Sequence, residues 1–458
     1  MNKNLEEQPQ LFGHPVGLYV LFFTEMWERF SYYGMRAILV LYIVGKTADE
    51  NPGMGWTDTE ALKLYGWYTM LVYVASIPGG LIADKLIGQR KSVLYGGWIL
   101  VAGHCVLAVQ QDWAFFLGLI LIIAGVGLLK PNISTMVGGL YKEGDERRDK
   151  GFTIFYIGIN IGAFLSALIV GYVGESIGWH YGFGLAGLGM ILGMIVYQWG
   201  QKYLRGVGEF LGNSDSPNKE LMSKPLTKIE KDRMLVMFLS FLLIIVFWGA
   251  FEQAGGLLNL YADQKTDRMI GGFEVPASWF QSVNAFFIIV FGTVVAGFWY
   301  KWKLKGREGS SLFKMAVGII IMGFGFLFMR FAAQEFEATG SSAMYWLVLA
   351  YLFHTIGELC ASPVALSFIT KLAPIKYASF MMGAYFAATG FGNKVAGLLG
   401  ESAADAGEKA IFTGIFIFTV VVGLIVLAML KPLKRLTHGA EDLKLDDHDE
   451  TEGFELAS

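Results

Sequence analysis

Long apolar windows alternate with short polar segments along the chain, and twelve windows are long enough to cross a bilayer. A transmembrane helix needs about 20 predominantly apolar residues. The windows, numbered here as spans 1 to 12, lie at about 16–44, 60–83, 91–110, 113–139, 151–173, 180–203, 234–262, 278–300, 312–333, 343–368, 377–401 and 409–430. This pattern predicts an all-α membrane protein with twelve transmembrane helices in two six-helix bundles.

A longer polar segment separates span 6 from span 7. Residues 205–233 are rich in Gly, Ser, Asn and Lys and include Pro217 and Pro225. The sequence therefore predicts an N-terminal six-helix bundle at 1–204, a cytoplasmic linker at 205–233, a C-terminal six-helix bundle at 234–431 and an acidic cytoplasmic tail at 432–458. Acidic residues dominate the end of that tail, a composition typical of solvated, disordered chain. Two bundles joined by a linker suit a secondary transporter that rocks about a central site.

The loops predict the orientation. Lys and Arg gather in the loops after spans 2, 4, 6 and 8, whereas the loops at 110–113, 174–180 and 334–342 contain neither. Since cytoplasmic loops carry the excess of basic residues, the loops after even-numbered spans and both termini are expected in the cytoplasm. We therefore expect a multi-pass protein of a bacterial cytoplasmic (inner) membrane.

Composition agrees with a polytopic membrane protein and argues against nucleic-acid binding and metal-dependent catalysis. Of the 458 residues, 54% are hydrophobic and 16% are charged, against about 25% charged residues in soluble domains. The net charge of −3 gives no electrostatic basis for binding nucleic acid. Cys105 and Cys360 form no disulfide or metal pattern, and the intramembrane histidines, His104 and His354, have no carboxylate-rich metal set around them in the sequence. No enzyme chemistry, metal or cofactor is therefore expected.

Span 1 contains charges that lipid cannot accommodate. At 100° per residue its polar side chains fall within an arc of roughly 140°: Glu25, Glu28, Arg29, Tyr32, Tyr33 and Arg36. A charge at the centre of a bilayer costs about 2.5–3.5 kcal/mol on insertion scales. This face must therefore line a polar cavity.

Other spans supply polar side chains that could complete this cavity. Lys130 precedes the helix-kinking Pro131 in span 4, and it is either half of a salt bridge, a titratable carrier, or a side chain that snorkels to the interface. The remaining candidates are Tyr156 and Asn160 in span 5, Trp248 and Glu252 in span 7, Asn284 in span 8, and His354, Glu358 and Ser362 in span 10.

The loop between spans 2 and 3 contains a recognisable sequence motif. Residues 80–91 read GLIADKLIGQRK and are similar to the signature that the major facilitator superfamily has at this loop. Asp84 and Arg90 can pair across the helix ends, so we expect a structural latch here.

Four motifs together resemble a family within that superfamily. They are Glu25-x-x-Glu28-Arg29-Phe30-x-Tyr32-Tyr33, Phe155-Tyr156-x-x-Ile159-Asn160-x-Gly162, Phe251-Glu252-Gln253 and Gly357-Glu358-Leu359-x-x-Ser362-Pro363. In this order, on spans 1, 5, 7 and 10, they look like the proton-dependent oligopeptide transporters, a family that also includes nitrate carriers. The resemblance implies a major facilitator fold and a proton-coupled symporter that imports di- and tripeptides by alternating access.

The resemblance also implies roles for individual residues. Proton coupling would rest on Glu25, Glu28, Arg29, Lys130 and Glu252. Peptide binding would use Arg29, Tyr33, Arg36, Tyr73, Lys130, Tyr156, Asn160, Trp248, Asn284, Glu358 and Ser362. The pairs Arg36–Glu252 and Lys130–Glu358 would act as gating salt bridges between the halves.

The chain departs from parts of the family in two respects. Residues 205–233 are too polar and too short for the two extra helices of many bacterial members, and residues 60–83 lack the histidine of animal members. Coupling must then rest on carboxylates. The nearest alternative is a proton-coupled carrier of another small anion such as nitrate, and a membrane enzyme such as an intramembrane peptidase is more remote. We expect the protein to work as a monomer, with peptides, protons and the lipid bilayer as its partners.

Overall fold

The computed structural model describes residues 9–141, 145, 147–209, 225–374 and 378–440. Within these ranges the chain is mostly helical. Its strands are two residues long: Gln10–Leu11 pairs with His14–Pro15, Thr266–Asp267 with Ser342–Ala343, and Met269–Ile270 with Phe273–Glu274. Most of the expected linker and the tail beyond residue 440 lie outside the described residues.

The helices follow the twelve predicted windows. In the first half they are Val16–Val44, Asp58–Val74 continued by Ser76–Ile82 and a wide turn at Ala83–Ile87, Gln89–Leu107, Asp112–Gly139, Arg147–Ser176, and Trp179–Gly200 continued by Gln201–Leu204. In the second half they are Lys228–Phe251 continued by Glu252–Gly255 and Leu257–Lys265, Ala277–Trp279 leading into Phe280–Leu304, Ser311–Thr339, Met344–Leu372, Ala378–Ala406 and Glu408–Ala428, followed by the short helix Leu430–Leu436.

Nine of these helices, among the residues described, are long and apolar enough to cross a membrane by composition alone. Spans 1, 3 and 11 are the other three. Span 1, Val16–Val44, is 29 residues long but contains Glu25, Glu28, Arg29 and Arg36. Its length therefore suits a bilayer, while its charges need the interior of the protein.

The apolar window at 234–262 does not form one uninterrupted α-helix. Span 7 leaves the α-helical geometry at Glu252–Gly255 and resumes at Leu257. Glycine is required at this break, because a Cβ added to Gly255 would come within 2.1 Å of the Tyr65 hydroxyl oxygen. The break gives Glu252 a position at the end of a helix, next to span 2, that helical periodicity does not predict.

Each half packs mainly within itself, and the two halves meet through two pairs of spans. Span 1 packs against spans 5 and 6, and span 9 against spans 10 and 12. Contact between the halves is made chiefly by span 2 with span 11 and by span 5 with span 8. Glycines allow the first pair to approach closely, since a Cβ on Gly66 would lie 2.9 Å from the Cα of Gly397.

The two ends of the molecule differ. We call the end where span 1 begins and residues 204–209 and 225–228 lie the linker end, and the opposite end the far end. Between the described parts of the two halves, the hydrogen bonds and ion pairs all lie from the middle of the spans to the far end. Examples are the Asn259 side chain donating to the Ala37 carbonyl at 2.8 Å and Gln264 donating to Asp58 at 3.2 Å.

Towards the linker end the halves separate. Leu81 of span 2 is 50% exposed and Tyr156 of span 5 is 46% exposed. A Cβ added to Gly80 would meet no atom of a described residue within 4 Å. The space between the halves is therefore closed at the far end and open at the linker end.

Candidate functional site

Arg29 lies between two carboxylates in the middle of span 1. Its Nε donates to Glu25 Oε1 at 2.8 Å, its Nη2 lies 2.6 Å from the same oxygen, and its Nε lies 3.2 Å from Glu28 Oε2. All three side chains are buried. Among the described residues, both oxygens of Glu28 and one of Glu25 have no donor in hydrogen-bonding geometry, although Glu28 Oε2 is within ion-pair distance of Arg29. A buried oxygen of this kind is costly as an anion and is readily satisfied by a proton.

The Tyr33 ring separates this cluster from the next charge on span 1. The guanidinium carbon of Arg36 lies 4.8 Å from the ring centroid and that of Arg29 lies 5.8 Å from it. A cation is attracted to an aromatic face at such distances. Tyr33 thus holds two like charges apart on one helix face, where the sequence predicts it among the binding residues.

Lys130 lies over the face of Tyr73 on span 2, with Nζ 3.8 Å from the ring centroid. It is also close enough to Glu28 and Glu25 to interact with their charges. It makes no ion pair with Glu358 in the described structure. The halves separate towards the linker end, so the predicted Lys130–Glu358 pair is open in this conformation.

Arg36 and Glu252 form the other predicted pair between the halves. Arg36 Nη1 donates to both carboxylate oxygens of Glu252, at 2.9 and 3.1 Å. The Tyr65 hydroxyl donates to the same carboxylate at 3.1 Å. The ion pair is therefore present at the closed, far side of the cavity, where spans 1, 2 and 7 meet.

Glu358 lies in the second half and accepts its hydrogen bond from a residue of the same half. The side-chain amide of Asn284 donates to Glu358 Oε2 and to the Thr355 hydroxyl, both at 2.9 Å. Ser362, one turn further along span 10, is half-buried. Spans 8 and 10 thus hold one carboxylate in place without a cation among the described residues.

The remaining predicted residues line the same space less directly. Asn160 is buried, and its amide nitrogen donates to the Tyr156 carbonyl one turn earlier at 2.9 Å. Trp248 is half-buried and packs edge-on against Phe247 and Phe251, at 5.4 and 5.3 Å between centroids. Tyr156 is the most exposed of the set.

Tyr65 and Thr355 contact the site but are absent from the predicted set. Each could have been found from its helical spacing to other polar residues in the sequence. Tyr65, Thr69 and Tyr73 recur every four residues in span 2 and so form one stripe, and Thr355 lies one turn before Glu358. The Tyr65 contact also depends on the break in span 7, which the sequence pattern does not reveal.

The ion pair predicted between Asp84 and Arg90, in the loop between spans 2 and 3, is not formed. Arg90 Nη1 lies 2.9 Å from Glu209 Oε1, and the backbone carbonyl of Arg90 accepts from the Tyr197 hydroxyl at 2.8 Å. Asp84 makes no ion pair with a described residue. The sequence-based pairing overlooked Glu209, which lies far away in the chain just before the undescribed segment. Arg90 therefore ties span 3 to the start of the linker.

The described residues contain no group of three or more His, Cys, Asp or Glu side chains suited to a metal ion. His354 is buried against Phe326, with 4.5 Å between ring centroids, and its ring nitrogens have no partner among the described residues. It belongs to the packing of spans 9 and 10 and not to the cavity.

Three comparisons relate the chain to known proteins. The family model described as the POT family matches residues 90–221 and 213–414. A Bacillus subtilis protein named "Uncharacterized transporter YclF" is 37% identical and aligns with 94% of this chain and 97% of its own length. A Lactococcus lactis "Di-/tripeptide transporter" is 34% identical, covering 93% of this chain and 97% of its own. A crystal structure of a "peptide transporter POT in complex with sulfate" superposes with a TM-score of 0.88 at 35% identity, covering 95% of this chain and 99% of that one.

Proposed function

Because the chain belongs to the POT family, with its major facilitator fold, we propose that it is a proton-coupled symporter that imports di- and tripeptides by alternating access. A relative covered over nearly its whole length carries the name of a di-/tripeptide transporter. The chain is a membrane protein, and its basic loops support an inner-membrane location with both termini in the cytoplasm. In that orientation the linker end is the cytoplasmic end.

The observation that carries the proposal is the distribution of charge across the cavity. Lys130 of the first half lies over the Tyr73 ring and forms no ion pair with a described residue, while Glu358 of the second half accepts a hydrogen bond from the neutral amide of Asn284. A peptide at neutral pH presents a carboxylate and an ammonium group. One bound peptide would satisfy both side chains and draw the halves together where Lys130 and Glu358 do not meet.

The other polar residues fit roles around such a peptide. Arg36 and Tyr33 add to the positive side, although Arg29 is already engaged by two carboxylates. Asn160 and Asn284 would assist Glu358 at the amino end. The rings of Tyr73, Tyr156 and Trp248, together with Ser362, would form adaptable walls for side chains that vary in sequence.

Protons would act on the carboxylates of span 1 and on the far-end ion pair. Glu25 and Glu28 share one arginine, so a proton on Glu28 removes a buried negative charge that Arg29 compensates only in part. A proton on Glu252 would remove its attraction for Arg36 and weaken one tie that closes the far end. Protonation therefore shifts the equilibrium between the two access states.

The membrane potential and the proton gradient together supply enough free energy to drive peptide uptake against a concentration gradient. One charge moving through 100 mV supplies about 2.3 kcal/mol. A tenfold proton gradient adds about 1.4 kcal/mol. Together they exceed 3.5 kcal/mol, so concentrating a peptide several-hundred-fold is within reach. We also propose a monomer with bundles at 1–204 and 234–431 as the functional unit.

A competition panel tests the substrate class. Purified protein in liposomes takes up a labelled dipeptide in the presence of unlabelled amino acids, di-, tri- and tetrapeptides, or nitrate. Di- and tripeptides should compete, whereas single amino acids and nitrate should not. Accumulation of nitrate by liposomes that take up no dipeptide would replace the proposal with the anion carrier, for which Glu358 would have no purpose.

A further inference from the structure

Arg330 is an intramembrane cation in span 9 for which the described structure offers no acid. It forms no ion pair with a described residue, and its guanidinium carbon lies 5.7 Å from the Phe331 ring centroid. Arg330 lies nearer the far end of span 9. No described residue supplies its counter-charge.

Arg330 lies close to the far-end edge of the membrane-spanning part of span 9. The apolar window of this span ends at residue 333, three residues after Arg330, which corresponds to about 4.5 Å along the helix. A long basic side chain near the end of a span places its charge at the level of the lipid headgroups. The guanidinium of Arg330 is therefore within reach of a lipid phosphate.

A cavity of about 690 Å³ surrounds the Arg330 side chain between spans 7, 9 and 12. Its walls are largely apolar and include Phe336, Gly414 and Ile417. Ile417 is 53% exposed on the outer face of the bundle, and a Cβ added to Gly414 would meet no atom within 4 Å. The cavity is therefore accessible from the surrounding membrane and has room along span 12.

The other charges of the cavity already cancel. Lys265 pairs with Glu408 and Lys409 pairs with Glu337. Lys265 also lies over the Phe336 ring at 5.0 Å. With Arg330 included, the cavity carries three cations and two anions, so it retains one positive charge beside an apolar groove.

We propose that this cavity binds one anionic phospholipid from the leaflet at the far end. Its phosphodiester would accept hydrogen bonds from the Arg330 guanidinium, whose planar donor set matches a phosphate. One acyl chain would lie along the Gly414–Ile417 face of span 12. A phospholipid with a net charge of −1 balances the cavity, whereas a zwitterionic lipid brings an ammonium group that leaves the excess charge in place.

Native mass spectrometry of the full chain tests the proposal. The protein is purified from detergent containing equal amounts of phosphatidylglycerol and phosphatidylcholine, and retained lipid is counted. The variants are Arg330→Gln and Arg330→Lys. Lys63→Gln is the matched control, because it removes one exposed positive charge at the same end of the molecule outside the cavity. Size-exclusion chromatography checks that each variant is monodisperse.

The wild type and Lys63→Gln should retain one phosphatidylglycerol in preference to phosphatidylcholine. Arg330→Gln should reduce that preference by roughly fivefold or more, as expected from a loss of about 1 kcal/mol per basic residue. Arg330→Lys should retain part of it. Equal retention of both lipids by the wild type, or an equal loss in Lys63→Gln, would overturn the proposal. Displacement of the lipid by millimolar inorganic phosphate would indicate a free-anion site and would also overturn it.

Discussion

At the residue scale, two carboxylates share one arginine in the middle of span 1. Glu25 takes the shorter contacts with Arg29, and Glu28 keeps two buried oxygens without a donor in hydrogen-bonding geometry among the described residues. The Arg29 charge cannot compensate both acids equally. Glu28 is therefore the member of the cluster that gains most from a proton, and Lys130 is the nearby cation that senses the change.

Glu28→Gln tests this division of roles. The amide mimics the protonated acid but cannot release a proton, so gradient-driven dipeptide uptake should fall at least about tenfold, which corresponds to about 1.4 kcal/mol. Counterflow exchange, which needs no net proton movement, should be retained. Glu50→Gln removes an exposed loop carboxylate and should leave both assays unchanged. Equal losses of driven uptake and exchange would indicate a structural role for Glu28.

Lys130→Ala tests the neighbouring cation. Without the ammonium group, no charge remains above the Tyr73 ring to attract a peptide carboxylate or to respond to Glu28. We expect driven uptake to be lost while exchange is partly retained. Lys46→Ala, which removes an exposed loop lysine, serves as the control. Unchanged driven uptake in Lys130→Ala would remove Lys130 from the mechanism.

At the scale of elements, the sequence predicts the twelve helices well but not where a helix breaks. Apolar windows of 20 residues or more and the charged stripe of span 1 indicate which segments cross the membrane and which face is buried. Glu252 is different, because its position depends on the turn at Glu252–Gly255 and on contact with Tyr65 of span 2. Such a contact joins residues 187 positions apart, and no local pattern encodes it.

The same limitation explains two pairings in the prediction. Arg90 bonds to Glu209 across the first half instead of to the nearby Asp84. Lys130 and Glu358 have the right charges to pair, but the separation of the halves towards the linker end keeps them apart. Sequence identifies the charges, whereas the relative placement of the bundles decides which of them meet.

Gly255→Ala tests the break in span 7. The new Cβ would lie 2.1 Å from the Tyr65 hydroxyl oxygen, so Tyr65 must move away from Glu252. Overpacking of this kind costs about 1–3 kcal/mol, and we expect a lower melting temperature and reduced uptake. Gly292→Ala is the control, because a Cβ there meets no atom within 4 Å. A wild-type melting temperature for Gly255→Ala would mean that the break does not need this glycine.

At the scale of the whole molecule, the far end is held shut by contacts spread across several spans. Glu175 at the end of span 5 accepts hydrogen bonds from the backbone amides of Ala277 and Ser278, at 2.8 and 2.9 Å, and from the Ser278 hydroxyl. Arg36–Glu252 adds an ion pair closer to the centre. Opening the far end requires both sets of contacts to break, so each should bias the balance between access states.

Glu175→Gln tests this bias. The amide has one acceptor oxygen in place of two and no charge, and hydrogen bonds to charged groups contribute about 1.5–3 kcal/mol. Spin labels at Leu86 and Leu304, which lie at the linker ends of the two halves, should report a larger population with a short separation. Glu60→Gln keeps the cap of span 2 and should behave as the wild type. An unchanged distance distribution in Glu175→Gln would show that these contacts do not control access.

The measurement that tests the account most directly is dipeptide uptake into liposomes with an inside-negative, inside-alkaline gradient. The account predicts that the gradient accelerates uptake and drives the dipeptide above its external concentration. It also predicts that this acceleration disappears in Glu28→Gln, whose exchange activity remains. Uptake that proceeds at the same rate with and without the gradient would contradict it.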